Sequence, residues 1–401
     1  MKKSETKNKK SASAKLGGSP AKIKVVGVGG GGGNAVHRMR DHFCRGVDFV
    51  AINTDIQDLD YCDVKHKIHI GKNLTRGLGT GMNPELGRQA AEETKAEIID
   101  ALKGADLVFI TAGMGGGTGT GAIPVVAEAA RELGALTVAI VTKPFSFEGS
   151  QRAKIAQEGI LKLKDKVDTL IIVPNDRIFT VINKETPVMK AFEVVDDVLR
   201  HAVQGVADLI ALPGIVNVDF ADVKAIMQDA GTAIIGLGMA SGQDRAMKAI
   251  NQAIHSPLLE LSIDGAKGVL FGISGSKDLK MNEVSDIARI IAESIDPSAK
   301  VIFGAYHDKK VKPGNIKVTL IATGFNGLGM TKTPSQMDSL FNSSPPDKVS
   351  LHEYSSPPII MDSKKEKDKL EKDKSTKSSK KDSAEIWEVP AFLRRNKNKK
   401  S

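Results

Sequence analysis

Twice in this chain an apolar run passes straight into a dense glycine stretch and then into a helical pattern: "VVGVGGGGGNAVHRM" at 25–39, and "DLVFIT" followed by "AGMGGGTGTG" and "AIPVVAEAARELG". Glycine has no Cβ, so its backbone N–H groups can approach an anion, and a helix N-terminus behind it adds free donors and partial positive charge. One such end contributes only about 0.3–1 kcal/mol toward a charge. Several donors must therefore act together, and a chain of phosphates is the ligand they suit. Helices are expected over 34–45 and 122–133, with Val36, Met39 and Phe43 on one apolar face and Val126, Ala129, Ala130 and Leu133 on the other.

The first loop alone leaves a rival open. Gly27, Gly29 and Gly32 satisfy GxGxxG, and Asp55 stands where a dinucleotide fold places its ribose ligand. A Rossmann oxidoreductase accounts for that loop but not for the second. No GxxxxGK[ST] occurs, which excludes a P-loop NTPase. Ordinary tight turns remain the plain alternative for the glycines, and the hydroxyls of Thr118 and Thr120 suit phosphate contacts or local turn bonds equally.

From residue 23 onward, short β-branched runs alternate with helical patterns: "IKVVGV", "VDFVAIN", "PELGRQAAEETKAEIIDALK", "DLVFIT", "ALTVAIVT" and "TLIIVP". This alternation predicts a parallel sheet covered on both faces. Residues 187–211 read as one long helix, with Phe192, Val195, Leu199, Ala202 and Val203 at helical spacing. A second strand and helix set follows, from "TAIIGLGMA" to "IKVTLIATGF". The expected organisation is a basic tail at 1–22, an α/β nucleotide domain at 23–186, a helix and connector at 187–214, a smaller α/β domain at 215–325, a disordered linker at 326–383 and a terminal peptide at 384–401.

The net charge of +9 suggests nucleic acid only until it is located. Residues 1–22 and 362–401 carry +6 each, leaving the body at −3, so direct nucleic-acid binding is not expected. Cys44 and Cys62 form no CxxC pair, so neither a disulfide framework nor a zinc site is expected. No apolar run approaches a membrane span and no signal peptide opens the chain, which points to the cytoplasm.

The second loop, "GMGGGTGTG", resembles the tubulin signature. Together with "GVGGGGGNAV", "NTD", "RGLGTG", "TKPFSFEG", "PNDR", "LPGIVNVDFADV" and "EIWEVPAFLRR", it makes the chain resemble the FtsZ family of bacterial, tubulin-like cell-division GTPases over 23–325 and again at the C-terminal peptide. The resemblance implies a Rossmann-type GTPase domain, a long central helix and a smaller α/β C-terminal domain. It implies GTP or GDP bound by Gly30, Gly31, Gly32, Gly33 and Asn34 on the α/β-phosphate side and by Gly117, Thr118 and Gly119 on the β/γ side. Glu148 and Arg152 match the family's ribose and phosphate contacts; four residues apart, they equally suit a surface ion pair. Guanine presents two donors, N1–H and N2–H2, and so needs an acceptor-only carboxylate. Asp196 fits, Asn175 matches a further base contact, and Phe192, one turn before Asp196, offers a ring for the base or for the core.

By the same resemblance, Asn217, Asp219 and Asp222 enter the GTP site of a neighbouring copy, where the two aspartates orient water, with Mg2+ as the expected metal. Locally, Asp219 and Asp222 also read as a helix N-cap and its N3 partner. Self-association would be head to tail, with hydrolysis confined to the polymer and turnover driving disassembly. The linker of about 58 residues spans about 40 Å as a coil. The apolar island at 385–395, with Ile386, Val389 and Leu393 on one face, resembles the family's docking motif for membrane adaptors such as FtsA, although Trp387 departs from its usual pattern. The expected role is a filament at the mid-cell division site together with other division proteins, the terminal cations adding about 1 kcal/mol each at an anionic membrane.

Overall fold

The computed structural model describes residues 21–40, 47–180, 182–183, 185–212, 214–256, 262–308 and 311–325. The expectations for Phe43, Cys44, the N-terminal lysines up to residue 20, the linker and the terminal peptide lie outside the described residues.

The chain runs β1 (Ile23–Val28), α1 (Gly29–Met39), β2 (Val47–Asn53), α2 (Ile56–Tyr61), β3 (His66–His69), α3 (Lys72–Thr75), α4 (Pro84–Glu93), α5 (Lys95–Leu102), β4 (Leu107–Gly113), α6 (Thr118–Glu132), β5 (Leu136–Lys143), α7 (Ser150–Lys164) and β6 (Thr169–Pro174). After α8 (Val188–Ala211) come β7 (Gly214–Val216), α9 (Phe220–Met227), β8 (Gly231–Ser241), α10 (Arg245–Ile254), β9 (Gly268–Gly275), α11 (Met281–Ser294), β10 (Lys300–His307) and β11 (Asn315–Thr323).

All eleven strands among the described residues share one sheet, in the order β3-β2-β1-β4-β5-β6-β8-β11-β9-β10-β7. The first six are parallel, as the strand–helix alternation requires. Alternate residues separate the two faces. Val25, Phe109 and Val138 pack toward α1, α8 and α9, while Val26, Ile110 and Ala139 pack toward α4, α5, α6 and α7. β11 is antiparallel to both β8 and β9, and α10 and α11 cover a third core against these strands.

The long helix forms over almost the expected residues. At about 1.5 Å per residue, its 24 residues span about 36 Å. Its buried stripe of Val195, Leu199, Ala202, Val203 and Val206 repeats with the helical period. Gly205 lets α8 approach Thr319 of β11, and Leu209 fills the space beside Gly272 and Gly304; as the same helix packs in one core with Val25, Phe109 and Val138, it touches both halves of the sheet.

Three local expectations are corrected. The helices expected at 34 and 122 begin at Gly29 and Thr118, because the glycines form the opening turns rather than preceding them. A Cβ on Gly32 would collide with the Thr111 carbonyl, so this turn lies directly on β4 and only glycine fits. "PELGRQAAEETKAEIIDALK" forms two helices, broken at Thr94, whose hydroxyl donates to the Ala90 carbonyl. Lys22 is ordered as well: its amide donates to Asp106 Oδ2 at 2.8 Å.

A candidate nucleotide site at two glycine loops

The strand order reverses between β1 and β4, and in open α/β sheets such a switch point leaves a crevice at the carboxyl ends of the strands. A cleft of about 530 Å³ opens there, walled by Val28–Gly31 from the first loop, by Gly113, Met114 and Gly116–Gly119 from the second, and by Gly79–Met82. The loops abut, since a Cβ on Gly29 would stand 2.8 Å from the Gly119 amide nitrogen, and Gly29 itself has φ +71°. Both α1 and α6 begin at this wall, so two sets of unpaired helix N–H groups converge on one cleft.

A buried hydroxyl network ties the walls together. Thr118 Oγ1 lies 2.8 Å from Thr54 Oγ1 and 3.2 Å from Thr80 Oγ1. Thr120 Oγ1 accepts from the Gly115 amide at 2.9 Å. Both hydroxyls that the sequence left undecided thus have partners within the protein. Gly117 lacks a side chain where one would strike Thr80 and Asn83.

Glu148 and Arg152 also line the cleft and pair at 3.1 Å, while Glu148 Oε1 accepts from the Phe145 amide at 2.9 Å. The Phe192 ring stands edge-on to the buried Phe145 at 5.4 Å and is 40% exposed, so one ring edge packs in the core and the rest lines the cleft. Asn175 is buried beside the cleft, and its Oδ1 has no hydrogen-bond partner. Such an orphaned acceptor costs about 1–3 kcal/mol unless a ligand donates to it. Asp196 pairs with Arg38 at 3.3 Å, yet burial dominates its environment and pushes its carboxyl up to about 6.

The cleft brings together Gly30, Gly31, Gly117, Thr118, Gly119, Glu148, Arg152, Asn175, Phe192 and Asp196. Gly32 faces β4 beneath it, while Gly33 and Asn34 border an adjoining cavity with Asp58 and Cys62. Sequence reasoning passed over Thr80, Met82, Thr142, Pro144 and Asp58 in the wall. "RGLGTG" was the available signal for the first of these. Asp55 is an N-cap, accepting from the Gln57 and Asp58 amides, and does not line the cleft.

Asn217, Asp219 and Asp222 do not line the cleft either; they follow the far end of α8. Asp219 accepts from the Asp222 amide at 2.9 Å and Asp222 accepts in return from the Asp219 amide at 3.2 Å, so the capping arrangement exists. Asn217 Oδ1 accepts from the Gly214 amide at 2.6 Å.

Parallel strands whose carboxyl ends carry two glycine loops around one cleft define a nucleotide-binding α/β protein. Residues 22–183 match the model of the tubulin/FtsZ family GTPase domain, and residues 231–326 that of the FtsZ family C-terminal domain. The structure is similar to an empty FtsZ dimer from M. jannaschii, with 46% identity, a TM-score of 0.73, and 76% of this chain and 89% of that chain covered. It also resembles two Haloferax volcanii proteins in fold. These are CetZ2 as a GTPγS-bound protofilament (23% identity, TM-score 0.65, coverage 76% and 94%) and CetZ1 as a GDP-bound monomer (20%, 0.65, 77% and 96%). The chain belongs to the FtsZ family. It is a GTPase, and the dehydrogenase alternative falls away.

Proposed function

We propose that this chain is a filament-forming GTPase whose active site is completed by a second copy. The observation that carries this reading is the separation of parts along α8. The cleft takes Phe192 and Asp196 from its first turns, whereas Asn217, Asp219 and Asp222 follow its last turn, so one copy cannot bring both groups to the same nucleotide. Exposed apolar side chains occur at both ends, Phe147, Phe179 and Met189 near the cleft and Ile215 and Val216 near the acidic loop. Joining unlike ends by repeated translation generates an open filament. The dimer and protofilament of the relatives support the same reading.

In the assembled site the glycine-loop amides and the starts of α1 and α6 hold the phosphates, Asp196 and Asn175 meet the guanine edge, and Phe192 stacks on the base. Glu148 and Arg152 contact the ribose and phosphates. The neighbour's Asn217 touches the nucleotide, and its Asp219 and Asp222 orient the attacking water, the main task left to protein in phosphoryl transfer. Among the described residues no three His, Cys, Asp or Glu side chains cluster as a metal site. Mg2+ would therefore rely on phosphate and water oxygens with at most one or two carboxylates, a donor set it favours, and would offset phosphate charge.

In the cell we infer a cytoplasmic role as the cytokinetic ring at the bacterial division site, with residues 385–395 docking on a membrane adaptor such as FtsA. The divisions at 23–186, 187–214 and 215–325 belong to this reading. GTP turnover per subunit tests it: the rate should rise steeply above a threshold protein concentration, and Asp222→Ala should bind GTP normally but hydrolyse little. Full activity in dilute monomer would refute assembly-dependent hydrolysis.

A further inference from the structure

Arg38 does not line the cleft, yet it reaches the carboxylate that meets the base. It projects from the last turn of α1, and its Nη1 lies 3.3 Å from Asp196 Oδ2 on α8. The Asp196 side chain is only 14% exposed, whereas Arg38 keeps 35% of its surface in water. We propose that Arg38 is a specificity-determining residue: by holding the Asp196 carboxyl ionised, it keeps the base end of the cleft acceptor-only and so selects guanine over adenine. The proposal rests on the assignment of Asp196 to the base edge.

The chemistry turns on one proton. An ionised carboxylate only accepts, which suits the paired donors N1–H and N2–H2 of guanine. A protonated carboxyl presents one O–H donor and one carbonyl acceptor. That is the complement of adenine, whose N1 accepts and whose N6 amine donates. A proton on Asp196 therefore does more than weaken GTP binding; it reverses the hydrogen-bonding polarity of the site.

The surroundings leave this proton finely balanced. Burial opposes ionisation most strongly, and Glu193 and Asp197 on the same helix oppose it further, while Arg38 favours it. Arg200 does not substitute for Arg38, because it is bound to Asp197 at 3.0 Å. Asp58, Glu148 and Arg152 complete the charged groups along the cleft, the last two paired with each other. With the carboxyl already pushed up to about 6, loss of one adjacent cation, which moves a carboxyl by about 1–3 units, brings its midpoint to neutral pH or above. Carboxylate oxygens have enough lone pairs to accept from the base and from Arg38 together.

Equilibrium competition between GTP and ATP on the full chain, from pH 5.5 to 8, tests the assignment. In the parent, GTP affinity should be level above about pH 7 and fall by about tenfold per unit below pH 6. Arg38→Gln should raise that midpoint by about one unit or more and improve ATP relative to GTP by about tenfold at pH 7. Arg38→Lys, which restores the charge, should return the midpoint toward the parent's. If the glutamine variant fails to fold, Arg38→Met keeps the aliphatic stem and serves for the same measurement. An unchanged midpoint and an unchanged GTP-to-ATP ratio in the uncharged variant would overturn the role of Arg38. Asp196→Asn carries a donor and an acceptor at every pH, so it should lose the pH step and favour ATP. If it retained the parent's GTP affinity and pH step, the base assignment itself would fail, whatever Arg38 did.

Discussion

At the cleft end of α8, glycine backbones press on one another and three threonine hydroxyls share one buried network. At the other end, the loop Asn217–Asp222 is held by its own side chains, with Asp219 and Asp222 capping each other near the surface. The first region depends on contacts made across long sequence separations, Thr54 to Thr118 and Thr80 to Thr118. The second depends on contacts three residues apart. The glycine-loop end therefore requires the whole parallel sheet, whereas the carboxylates of the acidic loop are held mainly by contacts within the loop and stand at least partly exposed.

The largest effect expected from breaking this contrast comes from Asp219→Asn. Asparagine caps a helix about as well as aspartate, so unfolding in urea should change by no more than about 0.5 kcal/mol. Loss of the carboxylate should still reduce turnover in the polymer by about a hundredfold, and a rate equal to the parent's would show that Asp219 acts as a cap alone. Next in size is Gly121→Ala, whose added methyl would strike the Pro84 carbonyl. Overpacking against backbone should cost about 1–3 kcal/mol in the same unfolding measurement; an exposed residue of the other end, as in Ile215→Ala, should change stability by less than about 0.5 kcal/mol but raise the assembly threshold.

Smaller effects sharpen the comparison. The carboxyl of Asp196 titrates higher in the folded chain, at about 6, than in the unfolded chain, so the folded state binds the extra proton. Lowering pH from 7 to 5 should therefore stabilise the nucleotide-free parent relative to Asp196→Asn by about 1 kcal/mol, from the linkage of protonation to folding. A difference that grows in the opposite sense would contradict that environment. Thr118→Val should lose about 1 kcal/mol through its two hydroxyl partners, with Thr118→Ser recovering most of it. Equal melting of the valine and serine variants would show that the network contributes nothing.

The main strands were legible because "IKVVGV", "DLVFIT" and "ALTVAIVT" are buried on both faces and need no alternation. β3 escaped notice because "HKIH" has a single buried apolar residue, and α7 because its inner face of Ala156, Gly159, Ile160 and Leu163 includes two small residues. The helix starts were misread for a different reason. Glycine is a poor helix former by local propensity, and its place in the first turns of α1 is imposed by the nearness of β4. At the cleft, Asp196 was suggested by its match to the donors of guanine, whereas spacing alone left Phe192 as readily a core residue and only the family resemblance turned it toward the base. The meeting of Thr54, Thr80 and Thr118 follows from how β2 and the 79–82 loop come against the start of α6, and the reach of Arg38 to Asp196 from how α1 lies against α8, and neither leaves a mark in any one stretch of sequence.

The eleven-stranded sheet crosses from its parallel half to its mixed half through only three residue pairs between β6 and β8, Thr169↔Gly231, Leu170↔Thr232 and Ile171↔Ala233. Side chains reinforce this seam: Asp168 accepts from the Asp229 amide at 3.4 Å, and Arg131 pairs with Asp229 at 2.8 Å. By contrast, β11 and β9 are joined by eight pairs. Under mechanical tension the short ladder is the compliant joint and the long ladders are stiff plates. Because some of its fastenings are exposed ions, its compliance should increase with ionic strength, making the midline of the sheet a salt-sensitive spring.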